Sequence, residues 1–330
     1  MHLAALAVLL TGALGVGLAT GPSDLGVREV VSVLAGGNAP AAAVDIVLLV
    51  RLPRVLLGAL VGASLAVAGV LFQALLRNPL ADPYVLGVSG GAALGGILVL
   101  SLGSAVGLSY AAVPPAAFAG AVLTTAVLYA IAGTNARVSA TSLLLTGVVF
   151  NAFASAAIVF LASIAGLTEG ASIFLWLIGS LSSIRVEVTG WVAAFLALGL
   201  GCALPLARSL NLAALGEESA QQLGVDIDRQ RRVVLIITSL MVGAAVSVAG
   251  LVGFVGLIIP HLLRLLYGPD HRLLIPASAL AGAAFLVVCD AIARTALDGR
   301  ELPVGAITAL AGGPLFLWLL RRQQRRVFAL

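Results

Sequence analysis

Long apolar runs separated by short polar connectors fill most of the chain. Runs of about 20 apolar residues, each long enough as a helix to cross a hydrocarbon core of about 30 Å, recur along it. They cover Leu3–Thr20, Val55–Leu76, Val85–Leu102, Val113–Ala132, Leu143–Ile164, Trp191–Ala207, Val233–Leu251, Gly253–Tyr267, Leu273–Ala293 and Gly305–Leu320. This pattern predicts an all-α polytopic membrane protein of about ten transmembrane helices. An even number puts both termini on one side. The eighth run is short and carries Pro260. It predicts a kinked or partly re-entrant piece whose freed backbone groups face protein or a water-filled cavity. Ile173–Leu181 is too short to span and predicts a half-helix dipping into the membrane edge. The longest polar stretches are about Gly21–Leu52, Gly166–Gly190 and Arg208–Arg232, and none is a soluble domain. The chain therefore reads as one transmembrane domain over residues 1–330. Gly58/Gly62 and Gly91/Gly95 fit the small-xxx-small spacing that lets helices approach closely.

Composition agrees with the pattern. Hydrophobic residues make up 61% of the 330 and charged residues only 10%, against about 25% charged in soluble domains. All 18 basic residues are Arg. A P-loop needs a Lys on its phosphates, so any ATP that drives this chain binds another subunit. The net charge of +4 is small and is explained by arginines held on one side of a membrane, not by nucleic-acid binding. Cys202 and Cys289 lie within apolar runs and read as packing residues. The first run lacks the basic flank of a cleaved leader, with only His2 before it, and reads as a retained helix.

The arginines set the orientation. With both termini in the cytoplasm, the inner side holds Arg77, Arg137, Arg208, Arg229, Arg231, Arg232, Arg264, Arg272, Arg321, Arg322, Arg325 and Arg326. The outer side holds Arg28, Arg51, Arg54, Arg185, Arg294 and Arg300.

Several features carry candidate function. The cytoplasmic stretch about 208–232 holds Glu217, Glu218, Ser219, Ala220, Leu223 and Gly224. Helical propensity over Leu210–Leu223, with Gly224 as the stop, predicts a short helix lying across the face as a docking element, the alternative being an ordinary solvated loop. Arg51-Leu52-Pro53-Arg54 opens the second run on the outer side, where Arg294 and Arg300 join it. Arginines there run against the positive-inside trend and suggest an acidic partner. Arg77-Asn78-Pro79-Leu80-Ala81-Asp82-Pro83 is a rigid turn, in which Asn78 and Leu80 could constrict a pore. The facing turn, Ser139-Ala140-Thr141-Ser142, offers hydroxyl caps to the fifth helix. Asp290 lies inside the ninth run, where an acid costs about 2.5–3.5 kcal/mol at mid-bilayer. Arg294 is one turn on and predicts pairing over a proton relay. His261, beside Pro260, predicts a hydrogen bond to freed backbone before a metal or haem ligand. No cluster has metal-ligand spacing and no arrangement suggests an enzyme site.

On these residues the chain resembles the permeases of type II ABC importers for ferric siderophores, haem and vitamin B12. Three strings carry the likeness. The first is Arg51-Leu52-Pro53-Arg54 running on through Gly69, Gln73, Asn78-Pro79-Leu80-Ala81-Asp82-Pro83 and Leu86-Gly87-Val88-Ser89-Gly90. The second is Gly253-Phe254-Val255-Gly256-Leu257 with Pro260-His261. The third is Glu301-Leu302-Pro303-Val304-Gly305 with Thr308-Ala309, Gly312 and Pro314. The resemblance implies a homodimer in a bacterial inner membrane with a pore on the dimer axis. Two separate ATPase subunits would lie beneath and a periplasmic binding protein would dock above on Arg51, Arg54 and Arg294. ATP and its Mg would sit on the ATPase, with no cofactor on this chain. The Glu217–Gly224 stretch would fit a groove on the ATPase. Asn78, Leu80, Thr141 and Ser142 would form the cytoplasmic gate, with Ala140 standing where a hydroxyl is usual. Overall likeness points to haem as cargo, moved by alternating access. The alternatives are another iron chelate, cobalamin, or a proton-coupled carrier built on Asp290.

Overall fold

The computed structural model describes residues 1–23, 25–84, 86–132, 140–181, 186–297 and 300–327. Arg137, Ser139 and Arg185, used above, lie outside them. Among the described residues there is no strand. Helix α1 (His2–Ala19) is followed by two short helices, α2 (Val27–Leu34) and α3 (Ala41–Asp45). A single π-helical turn, Ile46–Arg51, then runs into α4 (Leu52–Leu75). Next come α5 (Val88–Leu102), α6 (Val113–Ala132), α7 (Ala140–Ile164) and the short α8 (Leu167–Leu177). Helix α9 (Val186–Ala214) leads through Leu215 and Gly216 to α10 (Glu217–Gln222). The chain ends in α11 (Ile227–Ala249), α12 (Val255–Tyr267), α13 (His271–Thr295) and α14 (Val304–Val327).

Every predicted apolar run is a helix, and the differences lie at the edges. The polar stretch 21–52 holds α2, α3 and the π turn, so the second span is continuously helical over Ala41–Leu75. The half-helix predicted at 173–181 is α8 and starts six residues earlier, at Leu167. Helix α9 extends 29 residues, past both predicted ends and across Pro205. The single helix predicted over Leu210–Leu223 is broken in two at Gly216, whose φ is +127°.

Seven described helices are long and apolar enough to cross a membrane, and α5, α12 and residues 304–319 of α14 are shorter apolar helices. The most buried of these seven is the Ala41–Leu75 span that contains α4, at 83%, followed by α11 at 78%. Helix α7 is outermost at 17%. Side chains such as Phe153 and Phe160 are exposed on α7.

Small residues set the tightest contacts. Helices α5 and α6 pack along each other. There a methyl on Gly120 would stand 2.2 Å from the Gly91 carbonyl oxygen. Helix α4 meets α12 the same way, since a methyl on Gly69 would stand 1.9 Å from the Gly256 carbonyl oxygen. Apolar side chains gain nothing by leaving lipid for one another, so close backbone approach supplies the packing attraction.

Candidate functional site

The charged chemistry of the helix ends gathers at two places, one at each end of the bundle. The first lies where α1 ends, α4 begins and α13 ends. The last carbonyls of a helix have no partner within it and carry partial negative charge. For α1 these are met by guanidinium groups. Arg51 donates to the Leu18 oxygen at 2.8 Å, the Ala19 oxygen at 3.2 Å and the Ser23 Oγ at 2.8 Å. Arg294 donates to the Thr20 and Gly17 oxygens, both at 3.0 Å. Asp290 is gripped from two sides: Arg54 Nη2 stands 3.0 Å from its Oδ1, and Arg294 Nε stands 2.9 Å from its Oδ2. Arg54 also bonds Glu301 at 2.9 Å.

The pairing of Asp290 with Arg294 is the one expected from spacing. The three arginines differ from expectation: Arg51, Arg54 and Arg294 are 3%, 6% and 4% exposed. Their charge is spent on Asp290, Glu301 and the end of α1, because an unpaired buried cation is costly. Among the described residues, the cations exposed at this end are Arg28 and Arg300. Next to Glu301 a cavity of about 790 Å³ is lined by Tyr110, Trp176, Ser247, Glu301 and Pro303, among others.

The second place lies at the opposite end of α4. The string from Asn78 to Pro83 is two linked Asx turns. Asn78 Oδ1 accepts from the Leu80 N–H at 2.9 Å, and Asp82 Oδ1 accepts from the Tyr84 N–H at 2.8 Å. Each is followed by a proline that fixes its φ. Leu80 is 40% exposed and Asp82 is buried. Burial pushes the Asp82 carboxyl up to about 6, although the Tyr84 N–H pulls the other way. Helix α7 comes close to this turn, since a methyl on Gly147 would stand 2.7 Å from Leu86 Cα. Thr141 and Ser142 are exposed in the first turn of α7.

Beside the turn lies α10, packed through buried Ala220 against Ala213 and Ile227. Its outer side is exposed: Glu218, Ser219 and Gly224, with Leu223 at 64% and neighbouring Leu215 at 74%. Glu217 turns inward and pairs with Arg77 of the turn and Arg231 of α11. Asp226 caps α11 on the Arg229 N–H at 2.9 Å. Asp270 caps α13 on the Arg272 N–H at 3.0 Å. That bond, with one from Asn211, holds the Asp270 carboxyl below its usual range. Asn211 also accepts from the His271 N–H at 2.9 Å, tying α9 to α13.

Spacing gave no sign of two further links. Gln73 donates to the Gly256 and Leu257 oxygens at 3.4 and 3.3 Å and accepts from Arg264 at 2.8 Å. Glu217 and Arg77 are 140 positions apart. His261 departs from its expected hydrogen bond to freed backbone. Neither ring nitrogen has a partner, and the ring lies edge-on to Phe316 with centroids 6.1 Å apart.

Comparison with known proteins places this arrangement. The model of the FecCD transport family matches residues 6–322. The cobalamin import system permease protein of Halobacterium salinarum is 43% identical over 305 residues, covering 92% of this chain and 78% of that one. The hemin transport system permease protein of Yersinia pestis is 42% identical over 285 residues, covering 84% and 83%. A solved inward-facing conformation of a metal-chelate type ABC transporter superposes with a TM-score of 0.86 at 31% identity, covering 97% and 98%.

Proposed function

The chain belongs to the FecCD transport family as a permease subunit of an ABC importer, and from that premise we propose that its cargo is a tetrapyrrole-sized metal chelate, haem or cobalamin. ATP hydrolysis belongs to a separate ATPase subunit, and the importer also works with a binding protein. Relatives named for cobalamin and for haemin match almost equally well, which supports the class and leaves both members in it. The membrane is the bacterial inner membrane, with both termini and α10 on the cytoplasmic side. A second copy of the chain completes the pore, with its lipid-facing surfaces in the bilayer. The chain itself holds no cofactor.

One observation carries the mechanism. The exposed side of α10, with Leu215, Glu218 and Leu223, suits a groove on an ATPase, while its inner Glu217 is joined to the turn bearing Asn78 and Leu80. Movement of a docked ATPase then reaches the gate formed by that turn with Thr141 and Ser142. Closure of the ATPases on ATP rocks the helices and opens the pathway outward. At the other end the binding protein docks over Arg51, Arg54 and Arg294. Since those side chains are buried, exposed Arg28 and Arg300 make the first contact with its acidic groups, and the buried three hold the surface in shape.

The purified complex in liposomes tests the cargo. Binding protein loaded with cyanocobalamin or with haemin is added, and ATP hydrolysis and uptake are measured. ATP-dependent uptake of one and not the other names the cargo. Uptake of neither, with a ferric siderophore carried instead, overturns the tetrapyrrole class. A proton-driven carrier built on Asp290 has little support, because both carboxylate oxygens are held by arginines.

A further inference from the structure

Helices α2, α4 and α10 end in the same closed turn, and the end of α4 breaks the usual rule for its residue. In this turn the third residue past the helix donates back to the third-last helical carbonyl, and the second residue past it takes a left-handed conformation. At the end of α2, Gly37 donates to the Ser32 oxygen at 2.8 Å and Gly36 is left-handed at φ +70°. At the end of α10, Val225 donates to the Ala220 oxygen at 3.0 Å and Gly224 has φ +84°. At the end of α4, Asn78 donates to the Gln73 oxygen at 3.1 Å, and the left-handed residue is Arg77, at φ +47°. Only Phe254 among the other described non-glycine residues has a positive φ.

Glycine takes this conformation without a steric penalty, and arginine does not. Strain of this kind persists where the side chain has a use. Here the guanidinium reaches Glu217 of α10, and the same Glu217 oxygen receives Arg231 of α11. The Arg77 side chain is 44% exposed, and an ion pair so exposed contributes little stability. Its contribution is therefore to position. We propose that Arg77 is a positioning residue for transport, whose ion pair with Glu217 makes α10 and the Asn78–Leu80 turn move as one piece. The proposal rests on the reading of α10 as the ATPase-contact helix and of that turn as the gate. Arg231 ties the same carboxylate to α11, so a push on α10 reaches α4 through Arg77 and α11 through Arg231.

The test uses the full complex of permease, ATPase and binding protein in liposomes, with cyanocobalamin or haemin, whichever it carries. The readout is cargo moved per ATP hydrolysed. Arg77→Gly relieves the left-handed strain and removes the guanidinium. Its melting temperature should hold or rise while cargo per ATP falls by at least about fivefold, the lower end of ordinary coupling strengths. Arg77→Lys keeps a cation and should restore most of the loss. Glu217→Gln should uncouple similarly, and the double variant should be little worse than either single one. If Arg77→Gly assembles poorly, Glu217→Gln carries the comparison. Wild-type cargo per ATP in Arg77→Gly or in Glu217→Gln overturns the proposal. A wild-type complex that moves neither compound with ATP overturns the functional reading itself.

Discussion

Replacing Asp290 by alanine leaves buried Arg294 with backbone carbonyls but no carboxylate, and buried Arg54 with only the half-exposed Glu301. Breaking one side of a buried ion network costs about 3–5 kcal/mol, because the remaining charge is left uncompensated. Glu301 touches the same Arg54 but is 44% exposed, so Glu301→Gln should cost at most about 1 kcal/mol. Thermal unfolding in detergent separates the two, and equal losses would mean that Asp290 is not the centre of the network. Asp82 adds a pH dependence. Burial raises its carboxyl from the usual 3.8 to about 6. Between about pH 4 and 6 the folded chain therefore holds more protons than the unfolded one, and stability falls as pH rises through that window, then levels off. Asp82→Asn keeps an oxygen for the Tyr84 N–H and removes the charge. The variant should gain in melting temperature over the wild type as pH rises across the window, and keep a constant lead above it. A lead that does not change from about pH 4 to 7 would exclude this carboxyl as the source.

At the scale of elements, packing at the glycines can be tested directly. Gly120→Ala drives a methyl into the Gly91 carbonyl and should cost about 1–3 kcal/mol by forcing α5 and α6 apart. Gly201 also lies in a helix, α9, but has open space around it. There alanine should be neutral or gain up to about 1 kcal/mol of helix propensity. Identical melting shifts for the two would show that close approach is not what the glycine at 120 supplies. The ten apolar helices were legible in the sequence because each is a long run that a membrane demands. The short helices in 21–52 were not. Helix α2 buries only Val30 and Val33 while Val27 and Val31 stay exposed, which leaves no long apolar run to notice. The break at Gly216 was hidden because the residues on either side both favour helix. The site was half legible. The Asp290–Arg294 pair follows from helix spacing, whereas Arg77–Glu217 and Gln73–Arg264 join segments far apart in sequence. The burial of Arg51, Arg54 and Arg294 was missed for a related reason. Arg51 and Arg294 are met by backbone carbonyls at the end of α1, which no side-chain pattern announces, and Arg54 by Asp290 and Glu301, far away in sequence.

For the whole molecule, the two charged ends differ in what they leave exposed. The Glu217 end presents Leu215, Glu218 and Leu223, and the Asp290 end presents Arg28 and Arg300 around a buried ion network. Our proposed orientation puts the first in the cytoplasm, following the side that keeps most arginines. Single cysteines test it in a background where Cys202 and Cys289 are replaced by alanine. Arg28→Cys and Glu218→Cys both lie at exposed positions on short helices. In intact cells an impermeant maleimide should label the cysteine at 28, and the one at 218 should react only after the membrane is opened. The reverse pattern would place α10 outside, away from any ATPase. The coupling through Glu217 would then lose its driver, even with every contact in the bundle unchanged. Orientation and coupling therefore stand or fall together, since the ion pair can transmit force only from the side where ATP is hydrolysed.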